Sequence, residues 1–251
     1  FLSNKLGSQQ LKSKTTVLKL IPSNNFVDIV IEEGVGKIKT IRSRFAVVAA
    51  PKFVAKRLIQ GIGSNQQKAM DSIEYRSYIV ANVILKKNVS SVGYDLYCLS
   101  GKKPEDPTAL RPSAMGFSDM IFADWAQYEK SSPKVLTCYK PFPYQGARQY
   151  LLNPFAHDKH RDNLLLDLKN YYQSIGLSQN DIAAVRMTLW GHAVPLCQAG
   201  LASSKTLELA SKPIGNIYFA NQDNLVSPCY ETAEQSALEA AQRIIHRIQK
   251  R

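Results

Sequence analysis

At 251 residues, with 45% apolar and 21% charged residues, the chain is long enough for one large domain or two small ones and for a substantial core. A formal charge of +12 and a pI near 9.5 point to an anionic partner such as a nucleic acid, a membrane surface or a phosphate-bearing ligand, but the basic residues are scattered, with no run of five or six, and a solvated surface accounts for them better. No apolar run reaches transmembrane length, no signal peptide is visible, and Cys98, Cys138, Cys197 and Cys229 form no C-x-x-C pair, so buried free thiols in a reducing, cytoplasmic compartment are expected.

The opening Phe1 to Gly7 lacks an initiating Met and reads as the end of a helix already under way, which makes the chain an expected fragment. Thr15 to Ile21 is β-branched and apolar, a strand ended by the turn Pro22-Ser23-Asn24-Asn25. Phe26 to Glu32 alternates, Gly34 and Gly36 bracket a hairpin turn, and Lys37 to Arg42 alternates again. Phe45 to Ala50 is a fully apolar strand stopped by Pro51, and Lys52 to Gln60 and Ser64 to Glu74 read as helices. Tyr78 to Leu85 is a strand ended by Lys86-Lys87-Asn88, Tyr94 to Leu99 is another, and Lys102 to Pro107 is the strongest loop signal.

Ser118 to Tyr128 and Lys134 to Lys140 continue that sheet, and Pro141 to Gly146 is a turn-rich connection. His157 to Ile175 reads as one helix, with Leu164, Leu168, Tyr171 and Ile175 in a stripe and Gly176 as its stop. Val185 to Leu189, Trp190 to Pro195 and a loop lead to Ile217 to Ala220, a short buried strand punctuated by Gly215-Asn216 and ended by the polar run Asn221 to Asn224. The final helix, Cys229 to Lys250, carries Ala233, Ala237, Ala240, Ala241, Ile244, Ile245 and Ile248 at spacings of three and four. Its small residues allow close approach to a backbone or a flat ligand, and its apolar end reads as core. Glu231 and Glu234 near its start and Arg243, Arg247, Lys250 and Arg251 near its end complement the helix dipole.

Several chemistries are excluded by what is missing. Neither Gly34-Val35-Gly36 nor Gly61-Ile62-Gly63 is followed by the third glycine of a G-x-G-x-x-G phosphate turn. His157 and His160 stand among Lys159 and Arg161 as a solvated first turn rather than a metal site. No G-x-S-x-G elbow is present, and the aromatic-basic stretch Tyr139 to Tyr144 is broken by prolines, as a turn would be.

Tyr218-Phe219-Ala220 and the helix behind it resemble the C-terminal signature of the flavin-containing amine oxidoreductases, which include the monoamine and polyamine oxidases, protoporphyrinogen oxidase and phytoene desaturase. Members of that family end in a strand reading roughly Y-F-A-G-[DE] and then E-G-A-x-x-[SA]-G-x-x-A-A on a helix pointing at the flavin. Glu231, Ala233, Ser236, Ala240 and Ala241 fall in step with it. Asn221, Thr232 and Ala237 replace its glycines, Gln222 stands at its acidic position, and Asp223 follows one place late. Val17 is similar to the family valine that meets the adenine, Val47-Val48-Ala49-Ala50-Pro51 to its V-[IV]-x-A-x-P segment, and Trp190 to Pro195 to its W-x-x-x-x-P crossing near the flavin.

The resemblance implies an α/β fold: part of an FAD/NAD(P)-binding domain of the Rossmann-like, glutathione-reductase type, residues 1–75 and 186–251, around an inserted mixed-sheet and helix substrate domain, residues 76–185. It implies FAD contacts at Val17, Ala49, Pro51, Ala220, Asn221, Gln222, Asp223, Thr232 and Ala233, with Asp223 either on a ribityl hydroxyl or serving a turn. Trp190 and His192 are the implied substrate residues, near the junction of the domains, with a packed core histidine as the alternative for His192. The implied reaction is flavin-mediated hydride removal from a C–N or C–C bond of a small organic substrate, and no residue is an evident acid or base for it. FAD binding would require an upstream G-x-G-x-x-G segment of the same protein. Two other readings stay open: a degenerate, non-catalytic scaffold, which the lost glycines suit, and a basic nucleic-acid-binding module, which rests on charge alone.

Overall fold

The computed structural model describes residue 6 and residues 10–89, 93–98, 117–122, 134–142 and 146–250. Its contacts divide the chain into two units, Phe1–Glu74 with Pro195–Arg251, and Tyr75–Val194.

The first unit begins with an antiparallel meander of β1 (Thr15–Pro22), β2 (Val27–Glu33) and β3 (Ile38–Ser43). Alternation buries Leu20, Val27 and Ile31, and Arg42 donates two hydrogen bonds to Asp28 directly across the β2–β3 pair, at 2.7 and 2.9 Å. Gly34 and Gly36 lie at φ +73° and +75°, the left-handed backbone that this hairpin requires. β4 is short, Ala46–Val48, and Pro51 caps α1 (Lys52–Leu58), which is followed by α2 (Ser64–Asp71).

The second unit is built on a five-stranded sheet of β5 (Tyr75–Leu85), β6 (Asp95–Tyr97), β7 (Asp119–Phe122), β8 (Val135–Phe142) and β9 (Ile182–Pro195), in the order β6-β7-β8-β5-β9. One face carries Ile79, Ala81, Val83, Met120, Leu136 and Cys138 into a core that the helices cover. Pro141 and Phe142, expected in a turn, instead finish β8 opposite Tyr78 and Ser77, and Phe142 is buried. α3 (Ala147–Leu151) was not expected from the sequence, and Ala147 and Leu151 join the core.

The expected single helix from His157 to Ile175 is α4 (His157–Leu168), a 3-10 turn over Lys169–Tyr171 and α5 (Tyr172–Ile175), closed by Gly176 at φ +64°. The tighter turn keeps Leu168 and Tyr171, three residues apart, on the same side, so the stripe survives the break. The two segments expected between Val185 and Pro195 form the one long strand β9. The expected loop at Lys102–Pro107 and the part of the expected strand beyond Phe122 lie outside the described residues.

The chain then returns to the first unit through α6 (Lys205–Ala210), a helix the sequence reading took as loop, to β10 (Ile217–Phe219), which pairs parallel with β4, and ends in α7 (Tyr230–Gln249). Only part of the α7 stripe is core. Ser236 and Ala240 are buried and Ile244 packs beside Tyr218, but Ile245 and Ile248 are 51% and 45% exposed, so the apolar end of the helix is not core here.

Candidate cofactor site

The carboxyl ends of parallel strands, with their carbonyls and the helix starts that follow, form the crevice where α/β sheets bind ligands. Here that crevice is made by β4, β10 and the segments leaving them. Ala46 N–H donates to Asn216 O and Ala220 N–H to Val48 O, both at 3.0 Å, which sets the register of the two strands. Asn216 Nδ2 ties the entry by donating to Arg44 O at 2.8 Å, and Asn221 Nδ2 ties the exit by donating to Ala49 O at 2.9 Å. Asn221 sits at φ −151°, ψ 155°, extended backbone that any residue adopts, so this position needs no glycine.

Beyond Asn221 the chain turns through a short 3-10 segment, Gln222–Asn224, against the start of α1. Asp223 is fully enclosed. Its Oδ2 accepts from the backbone N–H of Lys52 at 2.6 Å and its Oδ1 from Lys52 Nζ at 2.7 Å, with both side chains fully buried. Lys52 also donates to Asn224 Oδ1, and its ammonium lies 5.0 Å from the centre of the Phe219 ring. Burial pulls the Lys52 ammonium below its usual range, and the charge and hydrogen bond of Asp223 pull it back up. Of the two roles expected of Asp223, the structure shows the one within the turn: its carboxylate caps α1, pairs with Lys52 and is fully buried. Lys52 itself was missed. Its signal in the sequence was a lysine directly after the strand-ending proline, which has meaning only once its partner is known.

Ala49, Pro51, Ala220, Asn221 and Gln222 gather at these strand ends, and the first turn of α7, with Thr232 and Ala233, packs on the 3-10 segment. No side chain caps α7, and Thr232 Oγ1 donates back to Ser227 O. The Glu231 carboxyl is held below its usual range by its own backbone N–H and the Cys229 thiol. Val17 stands apart on β1, whose link to the site runs through Leu20, the acceptor of Gln60 N–H at 2.9 Å. Trp190 and His192 lie on β9 in the other unit, Trp190 half exposed and His192 edge-on to Tyr75 with ring centres 6.0 Å apart.

A cavity of about 700 Å³ adjoins β10, bordered by Leu207, Lys212, Phe219, Ser236 and Arg243. It contains none of the expected cofactor residues and is not the strand-end crevice. Among the described residues no group of three His, Cys, Asp or Glu side chains is placed to hold a metal, and no helix is long and apolar enough to cross a membrane.

For FAD, the residues present fit one end of the molecule. Exposed Ala49, half-exposed Asn221 and Gln222, and the side-chain-uncapped start of α7 stand where a polyol and a pyrimidine ring would meet polar groups. The turn Gly61-Ile62-Gly63 opens α2 but lacks the third glycine of the G-x-G-x-x-G pattern that a pyrophosphate turn of this class carries.

Oxidoreductase PigB of Serratia sp. (strain ATCC 39006) is 23% identical over 210 residues, which is 83% of this chain and 31% of PigB. Cyclohexylamine oxidase from Brevibacterium oxydans IH-35A superposes with a TM-score of 0.59 at 13% identity, over 93% of this chain and 48% of that one. A candidate protoporphyrinogen oxidase from Exiguobacterium sp. 255-15 gives 0.55 at 12% identity, over 90% and 47%. The two superpositions show that the fold is the α/β fold of these proteins, and the chain spans less than half the length of each of the three. The family profile described as flavin containing amine oxidoreductase matches residues 2–245, nearly the whole sequence, and the chain belongs to that family.

Proposed function

We propose that this chain is the flavin-facing and substrate-binding portion of an FAD-dependent oxidoreductase that removes a hydride from a small organic substrate. The observation that carries the proposal is the parallel β4–β10 pair, with its carboxyl ends tied by Asn221 and its exit loop pinned by Lys52 and Asp223. The residues that would hold the flavin are Ala49, Pro51, Ala220, Asn221, Gln222, Thr232 and Ala233, with Val17 on the adenine side. When bound, the flavin supplies the two-electron acceptor. The chain's own part is to orient the ligand through backbone groups at the strand ends and to keep the exit loop in place. In this reading residues 1–75 and 186–251 bind cofactor and residues 76–185 bind substrate, with Trp190 and His192 as substrate contacts. The separation into units after Glu74 supports the first boundary, whereas the second unit runs on to Val194 and so takes in Trp190 and His192.

An upstream strand, glycine turn and helix of the same protein complete the site in this proposal. Support comes from β4, which is an edge strand: its alternate residue Val47 points its backbone groups away from β10, and its side chain is 47% exposed. Further support is the outer face of α7, where Leu238, Ile245 and Ile248 are uncovered. The four free cysteines support a reducing, cytoplasmic setting.

The test is FAD titration followed by flavin fluorescence and the visible spectrum. The purified 251-residue chain is expected to be colourless and to bind FAD weakly or not at all. Co-expression with a G-x-G-x-x-G segment from a family member, or fusion to it, is expected to restore binding. Stoichiometric FAD on the isolated chain would show that its phosphates are held elsewhere. No uptake by the completed protein would mean that Asn221, Thr232 and Ala237 have closed the site.

A further inference from the structure

The cavity beside β10 lies wholly within the first unit. Its closed side is apolar: Leu207 of α6, Tyr218 and Phe219 of β10 and Ala240 of α7 all border it and are buried. Hydrogen bonds hold that frame. Ser211 Oγ donates to Asn224 Oδ1 at 3.1 Å and Asn224 Nδ2 to Phe219 O at 3.0 Å, which fixes the end of α6 to β10. The space of about 700 Å³ kept open in this way is of the size that small molecules occupy.

Polar groups stand at its edge and at one point inside. Lys205, Glu208, Lys212, Glu239 and Arg243 border it and are exposed, so they form its rim, where the cations outnumber the carboxylates. No ion pair engages any of the five among the described residues, and the Glu239 carboxylate accepts instead from Gln235 Nε2 at 3.1 Å. Serines border the cavity as well. The hydroxyls of Ser204 and Ser211 donate to Leu201 O and Asn224 Oδ1, at 2.7 and 3.1 Å. The hydroxyl of Ser236, a residue only 2% exposed, has no hydrogen-bond partner among the described residues. Ser236 and Arg243 share one face of α7, about 10 Å apart along its axis. At about 100° per residue, the uncovered Leu238 and Ile245 lie on the opposite face, so a segment packed on them leaves the cavity as it is.

We propose that this cavity binds a medium-chain carboxylic acid that carries a hydroxyl or carbonyl group at the far end of its chain. The carboxylate pairs with Arg243 and Lys212 at the rim, the methylene chain lies against Leu207, Tyr218, Phe219 and Ala240, and the far polar group meets Ser236. Each part of the ligand answers a feature of the cavity. A guanidinium without an ion-pair partner takes a carboxylate through two N–H bonds. The apolar wall gains from every methylene it removes from water. A buried hydroxyl without a partner carries an unmade bond, which a polar group at that point completes. An alcohol forgoes the charge at the rim, and an amine meets its excess of cations. None of these residues is among those that would hold flavin or substrate, so the proposal stands apart from that reading.

Titration of the unmodified chain without flavin tests it, followed by calorimetry and by NMR of labelled alanine and leucine methyls. The probes are ω-hydroxyoctanoate, octanoate, octanol and octylamine. The hydroxy acid is expected to bind about fivefold more tightly than octanoate, and octanoate more tightly than octanol or octylamine. Methyl resonances of Leu207, Leu225 and Ala240 are expected to shift, and those of Leu164 and Leu168, in the core of the second unit, to stay. Arg243→Gln and Lys212→Gln, both at exposed positions, are each expected to weaken octanoate about threefold and to leave octanol unchanged. Ser236→Ala is expected to erase the advantage of the hydroxy acid, while the free chain melts no lower than the parent because no bond is lost. Several results would overturn the proposal, whatever the flavin titration gives: no binding of octanoate, equal binding of octylamine, or shifts confined to other residues. So would a hydroxy-acid advantage that is absent, or that survives Ser236→Ala.

Discussion

Lys52 and Asp223 are the residues on which the candidate site turns. Both are fully buried, so removing either partner leaves the other charge uncompensated in a dry environment. Lys52→Met or Asp223→Leu alone is expected to cost about 3–5 kcal/mol in urea unfolding. The double substitution is expected to recover most of that loss, since two apolar side chains leave no buried charge. If the double variant is as unstable as the sum of the singles, the pair is not the coupled unit described here.

His160 offers a pH signature in the second unit. It is buried between Tyr150 and Phe142, and its Nε2 has no hydrogen-bond partner among the described residues. Burial, and then the charges of Lys140, His157 and Lys159, hold its imidazole below the ordinary 6.5. The unfolded chain therefore takes up the proton first as pH falls. The stability this group contributes is complete above pH 6.5 and is lost as the pH drops through the folded-state value. Urea midpoints measured across that range should decline in the parent chain and decline less in His160→Phe, and parallel profiles would contradict the assignment.

Among the elements, α7 separates a buried stripe from an open one. Ala240 is buried against Tyr218, so Ala240→Asp is expected to destabilise by about 3 kcal/mol or more, through an unpaired buried charge. Ile245→Glu, on the half-exposed face, is expected to stay within about 0.5 kcal/mol of the parent in this 251-residue chain. A melting curve unchanged by Ala240→Asp would remove the helix from the core. This helix also illustrates what the sequence could and could not say. Its length and spacing were plain, because period 3.6 survives in any context. Which of its alanines and isoleucines are covered depends on what packs beside it, and Ala237, Ile245 and Ile248 look the same as Ala240 in the sequence. β1, β2 and β3 were legible through alternation and the glycine-marked hairpin. α6 was not, since Lys205–Ala210 is shorter than two full turns and has too little periodicity to stand out from a loop. The cavity beside β10 was equally hidden, because only the fold brings Lys212, Ser236 and Arg243 to one place.

At the scale of the whole molecule, the first unit is assembled from the two ends of the sequence and the second from its continuous middle. The family motifs at Val47–Pro51 and Tyr218–Ala220 were recognisable separately, but the bond that unites them was not. Lys52 and Asp223 are 171 positions apart, and no local pattern pairs residues at that distance. That separation sets an order in time. A chain made from its amino terminus has the entire second unit available to fold before β10 exists, while β4 waits for β10 and Lys52 for Asp223. Closing the first unit is then a late, long-range event, and it carries the loop-entropy cost that makes such contacts slow. A premature stop between Pro195 and Ile217 would accordingly spare the second unit and leave the first without β10 and Lys52 without Asp223, which makes the unfinished first unit the part of a nascent chain that most needs protection from aggregation.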